Sequence, residues 1–166
     1  EAGNNVLTIS RLSKSLDGLA MFKDLTLTVE KGDKIAFVGS DDLANTTLFQ
    51  VLSGEARPDG GVFKWGASIN LAYYPKDNAK YFNVDCNLID WLRQYSEIKD
   101  ENFIRGFLGR MLFSGEESMK SASVLSGGEK VRCMLSRMML VGANVLILDE
   151  PTNHLDLESI MSLNKG

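Results

Sequence analysis

The alternation of apolar and polar residues in the first third of the chain predicts β structure. The stretch "NVLTISRL" alternates as a half-buried strand does, and "DLTLTVE" predicts a second strand. A Gly32-Asp33 turn and the apolar run Lys34 to Val38 follow, and together they give a hairpin signal. Because this run is continuously apolar, it also suits a buried parallel strand. We expect a helix over "TTLFQVLSGE", with Gly54 just beyond its last turn.

The rest of the chain alternates short strands with helices. "RPDGGVFKWG" and "INLAYYP" predict short strands, the second of which is broken by Pro75. "LIDWLRQY" and "ENFIRGFLGRML" predict helices, and "NVLILDE" predicts a last apolar strand. The pattern indicates an α/β protein with an antiparallel layer at its start and a helical insert over roughly residues 84–140. One helix face in this insert is expected to be core: Val131, Met134, Leu135, Met138 and Met139.

Length and composition are those of one globular domain in a reducing compartment. The 166 residues suit a single domain over residues 5–166, with residues 1–4 taken as a linker or an expression remnant. Cys86 and Cys133 form no C-x-x-C pattern, so neither a disulfide framework nor a zinc site is expected. No apolar run approaches the ~18 residues of a membrane helix, and the first residues, EAGNNV, do not have the pattern of a signal peptide. We therefore expect a cytoplasmic protein, and the net charge of -4 gives no nucleic-acid signature.

The loop after Val38 has the spacing of a phosphate-binding loop but lacks its lysine. Eight positions from Gly39 to Thr46 are set out as in G-x-x-x-x-G-K-[ST], with Ala44 at the second glycine and Asn45 at the lysine. Two interpretations stay open from these residues alone. The loop is either a weakened nucleotide site or a strand-to-helix turn in which Asp41, Asp42 or Asn45 caps a helix.

The stretch "LSGGEK" predicts a helix start that can also meet an anion. Ser126 and Glu129 have the spacing of a capping box, which is the structural explanation of this stretch. Capping alone does not need Gly127 and Gly128, which cost a helix roughly 1 kcal/mol each relative to alanine. Glycines let backbone N–H groups approach an anion closely at the positive end of a helix.

The stretch "VLILDEPTNHLD" delivers two acids to the end of an apolar strand. Ligands of open α/β sheets bind at this end of the strands. Asp149 is suited to hold Mg²⁺, and Glu150 is suited to orient or deprotonate an attacking water. The alternative is a strand end with solvated acids. His154, the only histidine, is assigned no catalytic role.

Taken in order, these motifs resemble the nucleotide-binding domain of ATP-binding cassette (ABC) proteins, a P-loop NTPase-like fold. "LSGGEK" is similar to the signature motif, "VLILDE" to the Walker B segment and "PTNHLD" to the segment that contains the D-loop. The wording "LSGGEKVR…DEPTNHLD" is most similar to the ABC-F branch, and "FKWG…YYPKDN" to the second cassette of ABC-F translation factors. Four positions depart from the family pattern, at Ala44, at Asn45, at Lys76 in place of the Q-loop glutamine and at Leu16 near an expected adenine-stacking aromatic. The resemblance also implies a cassette truncated on its C-terminal side, since the switch histidine is absent.

The resemblance implies ATP and Mg²⁺ as cofactors and assigns the site residues. Glu150 is the implied catalytic residue, Asp156 the D-loop aspartate, and Thr46 and Asp149 the Mg²⁺ ligands. Lys76 is additionally expected to carry a replacement charge to the γ-phosphate. The implied nucleotide contacts are Gly39, Ser40, Asp41, Asp42, Leu43, Ala44, Asn45, Thr46, Thr47 and Lys76. The implied contacts to a partner's ATP are Ser126, Gly127, Gly128 and Glu129.

The function implied by the resemblance is ATP binding and hydrolysis in an ABC-F-type protein. The module is expected to act with a second cassette, in the same chain or in a dimer partner, in translation control on the ribosome, and no membrane domain is expected. Because Asn45 carries no charge, the isolated chain is expected to be weak or inactive as an ATPase. Two alternatives remain: a non-catalytic, nucleotide-sensing module that completes a partner's ATP site, and the nucleotide-binding subunit of an ABC transporter.

Overall fold

The structure is a computed structural model that describes residues 5–39 and 41–151. The described residues form two compact units, which divide between Leu71 and Ala72. The first unit is built on an antiparallel sheet and the second is mainly helical. Both features agree with the α/β class and the antiparallel layer expected from the sequence pattern.

The first unit contains a three-stranded sheet and one helix. Strands β1 (Asn5–Leu16), β2 (Leu19–Glu30) and β3 (Gly60–Trp65) pair in the order β2-β1-β3, and both pairings are antiparallel. Helix α1 (Asp42–Ser53) ends at Gly54, whose φ of 85° is the left-handed conformation that glycine adopts at low cost. The predicted helix end is therefore confirmed, although α1 begins four residues earlier than the predicted stretch that starts at Thr46.

The predicted hairpin between "DLTLTVE" and Lys34–Val38 is wrong. Strand β2 pairs with β1 instead, through a tight turn at Asp17 and Gly18. The run Lys34–Val38 forms no strand, and Val38 is 93% exposed. An apolar run becomes a strand only where neighbouring strands supply its hydrogen-bond ladder, and no described strand pairs with this one.

The core of the first unit lies between the sheet and α1. The indole Nε1 of Trp65 in β3 donates to the carbonyl of Leu52 in α1 at 2.9 Å, which ties the helix to the sheet. Gly61 has a φ of 75°, and a Cβ there would lie 2.1 Å from the carbonyl oxygen of Arg11, so only glycine fits. The buried apolar side chains are Leu7, Ile9, Leu12, Leu48, Val51 and Leu52.

The second unit contains a strand pair and three α-helices. Strands β4 (Leu71–Tyr74) and β5 (Val145–Leu148) are neighbours in a two-stranded sheet. The helices lie between them in sequence and agree in position with the predicted ones: α2 (Leu88–Arg93), α3 (Glu101–Arg110) and α4 (Gly127–Leu140). Short 3₁₀ turns cover Ala79–Tyr81, Glu117–Met119 and Ala122–Val124.

The core of the second unit is formed where its helices pack together. Trp91 is fully buried, stacks on Phe82 with ring centroids 4.9 Å apart and donates from Nε1 to the carbonyl of Tyr81 at 2.7 Å. Met134 and Met138 of α4 are buried, so the apolar face predicted for this helix is core. This packing fixes α4, whose first residues carry the "LSGGEK" stretch.

Candidate functional site

An aspartate of the loop before α1 caps the start of this helix. Asp41 is the N-cap of α1, and its Oδ1 accepts a hydrogen bond from the N–H of Leu43 at 3.0 Å. The N–H of Ala44 donates to the carbonyl of Asp41 at 3.2 Å. The structural interpretation of this loop, a capped helix start, is therefore confirmed for Asp41. Two N–H groups that a phosphate would use have partners within the chain.

The residue at the lysine position makes one long contact. Nδ2 of Asn45 lies 3.5 Å from the carbonyl oxygen of Phe37, at the limit of a hydrogen bond. Thr47 is buried, and its hydroxyl donates to the carbonyl of Leu43 at 2.6 Å, as helical threonines often do. Thr46, the predicted Mg²⁺ ligand, is half-buried. Ser40 lies outside the described residues.

The start of α1 has one feature that favours an anion and two that oppose it. The twelve residues of α1 give its start the partial positive charge that favours phosphate. Asp41 and Asp42 oppose it, since one carboxylate caps the helix and the other lies in its first turn. A phosphate must displace the Asp41 carboxylate from the Leu43 N–H, so the residues present fit phosphate at a cost in affinity.

The two acids predicted from "VLILDE" lie at the end of β5. Asp149 is buried, with 2% of its surface exposed, and its Oδ2 is 3.4 Å from the hydroxyl of Tyr73. Its backbone N–H donates to the carbonyl of Tyr74 at 3.0 Å, so the ends of β4 and β5 lie side by side. Glu150 follows with a φ of 47°, a left-handed conformation that is costly for glutamate and common at functional sites.

The side chain of Lys76 forms an ion pair with Glu150. Its Nζ is 3.0 Å from Oε1 of Glu150, and both side chains are partly exposed. The sequence suggested a γ-phosphate contact for Lys76 and gave no sign of this ion pair, because the two residues are 74 positions apart. The phosphate contact remains a prediction.

The "LSGGEK" stretch forms the capping box predicted for it. Oγ of Ser126 accepts from the N–H of Glu129 at 3.3 Å, and Oε2 of Glu129 accepts from the N–H of Ser126 at 2.8 Å. Ser126 and Gly127 are exposed, whereas Gly128 is buried. The start of α4 therefore presents a hydroxyl and glycine backbone at the surface, which is what contact with an anion requires.

Lys120 is part of this arrangement, and sequence reasoning missed it. Its Nζ is 2.6 Å from Oε1 of Glu129, and it approaches Glu117 at 4.0 Å. Burial opposes ionisation of Glu129, but hydrogen bonds from Lys120 and from the Ser126 N–H outweigh burial and lower the pKa of Glu129. The hydrogen bond to Glu129 raises the pKa of Lys120. Its position six residues before a capping-box serine was the only available signal.

Mg²⁺ is the metal that the resemblance to ABC proteins implies, and its predicted ligands are side-chain oxygens. No cluster of three or more His, Cys, Asp or Glu side chains that could hold a metal occurs within residues 5–39 and 41–151. Mg²⁺ is usually bound by one or two protein oxygens together with phosphate oxygens. The carboxylate of Asp149 and the hydroxyl of Thr46 are hard oxygen donors of this type. Asp156 and His154 lie outside the described residues.

Comparisons with known proteins agree with the motifs. The family model described as ABC transporter matches residues 22–153. YkpA of Bacillus subtilis, an uncharacterized ABC transporter ATP-binding protein, is 60% identical over 100% of this chain. EttA of Escherichia coli, the energy-dependent translational throttle protein, is 33% identical over 99% of this chain. The matches cover 31% of YkpA and 30% of EttA, so the chain spans less than a third of either relative.

The fold comparison gives the same result. The structure of cbiO1 from Clostridium perfringens, part of the ABC transporter complex cbiONQ, matches with a TM-score of 0.69 and 20% identity. The match covers 98% of this chain and 72% of that one. In the described part of the chain, no helix has the length and apolar character needed to cross a membrane. On its motifs, its fold and the family model that covers most of it, the chain belongs to the ABC transporter family, as an ATPase domain whose homologues include ABC-F-type proteins.

Proposed function

We propose that this chain is the ATP-binding and ATP-hydrolysing module of an ABC-F-type protein that acts with a second cassette. The observation that carries the proposal is the arrangement at the end of β5, a buried Asp149 followed by an accessible Glu150 in a left-handed conformation. Asp149 and Thr46 would ligate Mg²⁺, which neutralises phosphate charge when bound. Glu150 would accept the proton that the attacking water loses.

The phosphate loop of this module is altered and binds weakly. It consists of residues 39–47, and Asn45 takes the position at which the family usually has a lysine. Loss of a charge-assisted hydrogen bond costs about 1.5–3 kcal/mol, or roughly 10- to 150-fold in affinity. Residues 39–47 are the proposed nucleotide contacts, with Asp41 as an internal competitor of phosphate.

Translation control on the ribosome is the proposed setting of this activity. Its support is the 33% identity to EttA, whose name describes a translational throttle, together with the ABC-F wording of "LSGGEKVR…DEPTNHLD". We propose a cytoplasmic location for the same reason. The likeness to cbiO1 is at 20% identity and concerns the fold alone, so it does not favour a transporter subunit.

A non-catalytic module is the second candidate, and the loop before α1 favours it. The Asp41 carboxylate accepts a hydrogen bond from a helix N–H and Asn45 carries no charge, whereas Ser126 and Gly127 of the signature stretch are exposed. In that case the chain would complete the ATP site of its partner through Ser126, Gly127 and Gly128, with Asp156 as the D-loop residue. Its own acids would then contribute nothing to turnover.

Replacement of Glu150 separates the two candidates. In the full-length protein that carries this chain, with the partner cassette disabled at its own catalytic acid, Glu150→Gln should lower kcat by about 100-fold or more if Glu150 is the general base. Glu116→Gln is the matched control, because Glu116 is exposed and its replacement removes the same charge. Equal turnover of the Glu150→Gln protein and the parent would favour the non-catalytic module.

A further inference from the structure

A lysine and the proposed general base meet at the joined ends of β4 and β5. The Asp149 N–H donates to the Tyr74 carbonyl, and this hydrogen bond brings the residues after both strands together. Lys76 follows β4 after a single proline, and Glu150 is the second residue after β5. Their side chains form an ion pair with Nζ and Oε1 3.0 Å apart.

The place of this pair in the fold, rather than its burial, brings the two charged groups together. Exposed pairs hold two mobile side chains and contribute little. Here the exposed fractions are 39% for Lys76 and 30% for Glu150, which are typical of a surface ion pair. The backbone of Glu150 has a φ of 47°, which limits the directions its carboxylate can take. The joined strand ends therefore place the carboxylate within reach of the ammonium group.

We propose that Lys76 restrains Glu150 in the nucleotide-free protein and thereby limits ATP turnover. This inference rests on the proposed function, because it takes Glu150 as the base that accepts a proton from water. The charge-assisted hydrogen bond holds the Glu150 carboxylate at the ammonium group, so the carboxylate cannot turn toward an attacking water while the ion pair persists. Before each turnover, Glu150 must leave Lys76, and the cost of that step is added to the barrier. Lys76 is thus a positioning residue whose effect is inhibitory.

Kinetics of three variants in the full-length protein test the restraint. Lys76→Gln should raise kcat by roughly 3- to 10-fold and leave KM within about twofold; the expected gain lies below the full charge-assisted range because water screens this surface pair. Lys76→Arg keeps the ion pair and should behave as the parent protein. Lys64→Gln is the matched control, since Lys64 is an exposed lysine of β3, and it should change neither constant. A fall in kcat, or a rise in KM at constant kcat, would overturn the restraint in favour of productive positioning or phosphate binding.

A double-mutant cycle on the nucleotide-free protein supplies a readout that needs no turnover. The melting temperature is measured for Lys76→Gln, Glu150→Gln and the double variant. The shift of the double variant should differ from the sum of the single shifts by about 1–2 °C, since the two residues interact directly. Additive shifts would show that the pair is not formed and would overturn the inference. Non-additive shifts in a protein that, before mutation, neither binds nor hydrolyses ATP would overturn the proposed function. The restraint would then be overturned with it.

Discussion

Asp41 and Asn45 together decide how well the start of α1 can hold an anion. Asp41 places a carboxylate on the Leu43 N–H, and Asn45 supplies only a long contact to the Phe37 carbonyl. Replacement of Asn45 by lysine would remove this contact at little cost, because the contact is long. It would add a positive charge beside a helix start that already favours phosphate.

Asn45→Lys should therefore tighten binding of Mg²⁺-ATP by about 10-fold or more, the low end of the charge-assisted range. Calorimetry at one fixed salt concentration measures the effect, because surface charges are screened by salt. Asn102→Lys in α3 adds the same charge at an exposed position and is the control. If Asn45→Lys leaves affinity unchanged, the additional change Asp41→Asn decides the cause. Asp41→Asn keeps the helix cap and removes the negative charge. Tighter ATP binding after this second change would show that the Asp41 charge opposes the phosphate.

Local chemistry at single residues was predictable, and distant pairing was not. The capping box of Ser126 and Glu129 is encoded in four consecutive residues, and the structure confirms it. The contact of Lys76 with Glu150 depends on how β4 and β5 pair, and nothing in the neighbourhood of either residue specifies that pairing. A sequence can therefore indicate which residues carry charge at a site without indicating which of them neutralise one another.

Among the secondary-structure elements, the helices were predictable from local sequence and the strand pairing was not. The helices were predictable because their apolar period and caps lie within each segment, as with Asn87 and Asp100, whose side chains cap α2 and α3. The run Lys34–Val38 has the composition of a buried strand but forms none, because a strand also needs neighbours that its own residues do not encode. The β1–β2 pairing was missed for the same reason.

The start of α4 should depend on the Glu129 carboxylate. Glu129→Ala removes both the contact to Lys120 and the acceptor of the Ser126 N–H, and it should lower the free energy of unfolding by about 1 kcal/mol, as loss of a helix cap does. Glu129→Gln keeps an acceptor for Ser126 and should cost less. Urea unfolding of the nucleotide-free chain measures both changes.

The difference between the parent and Glu129→Gln should depend on pH with a definite sign. The pKa of Glu129 is lowered in the folded chain, so its contribution is present above the usual value of 4.5 and is lost as the pH falls through the folded value. The pKa of Lys120 is raised, so its contribution is present below the usual value of 10.5 and is lost as the pH rises through the folded value. The stability difference should be constant between about pH 5 and 10. A constant difference extending down to pH 2 would contradict the assigned role of the Glu129 charge.

At the scale of the whole molecule, the exposed start of α4 indicates a surface that works on a partner. Ser126 and Gly127 are exposed, and the capping box holds the stretch rigidly. The chain spans less than a third of the length of the relatives YkpA and EttA. A rigid, exposed hydroxyl at a helix start is suited to meet a phosphate that another module binds.

Ser126→Arg in the full-length protein tests this role in trans. The substitution lies at an exposed position and removes one cap acceptor at 3.3 Å, so the fold should survive with a loss of about 1 kcal/mol. The bulky side chain should nonetheless lower kcat at the partner's ATP site by about 10-fold or more, because a small hydroxyl can no longer approach the phosphate. Ser123→Arg adds the same side chain at an exposed position three residues earlier and should leave turnover unchanged. Full activity of Ser126→Arg would show that the signature stretch does not act on the partner, and a loss shared with Ser123→Arg would assign the effect to added bulk rather than to Ser126.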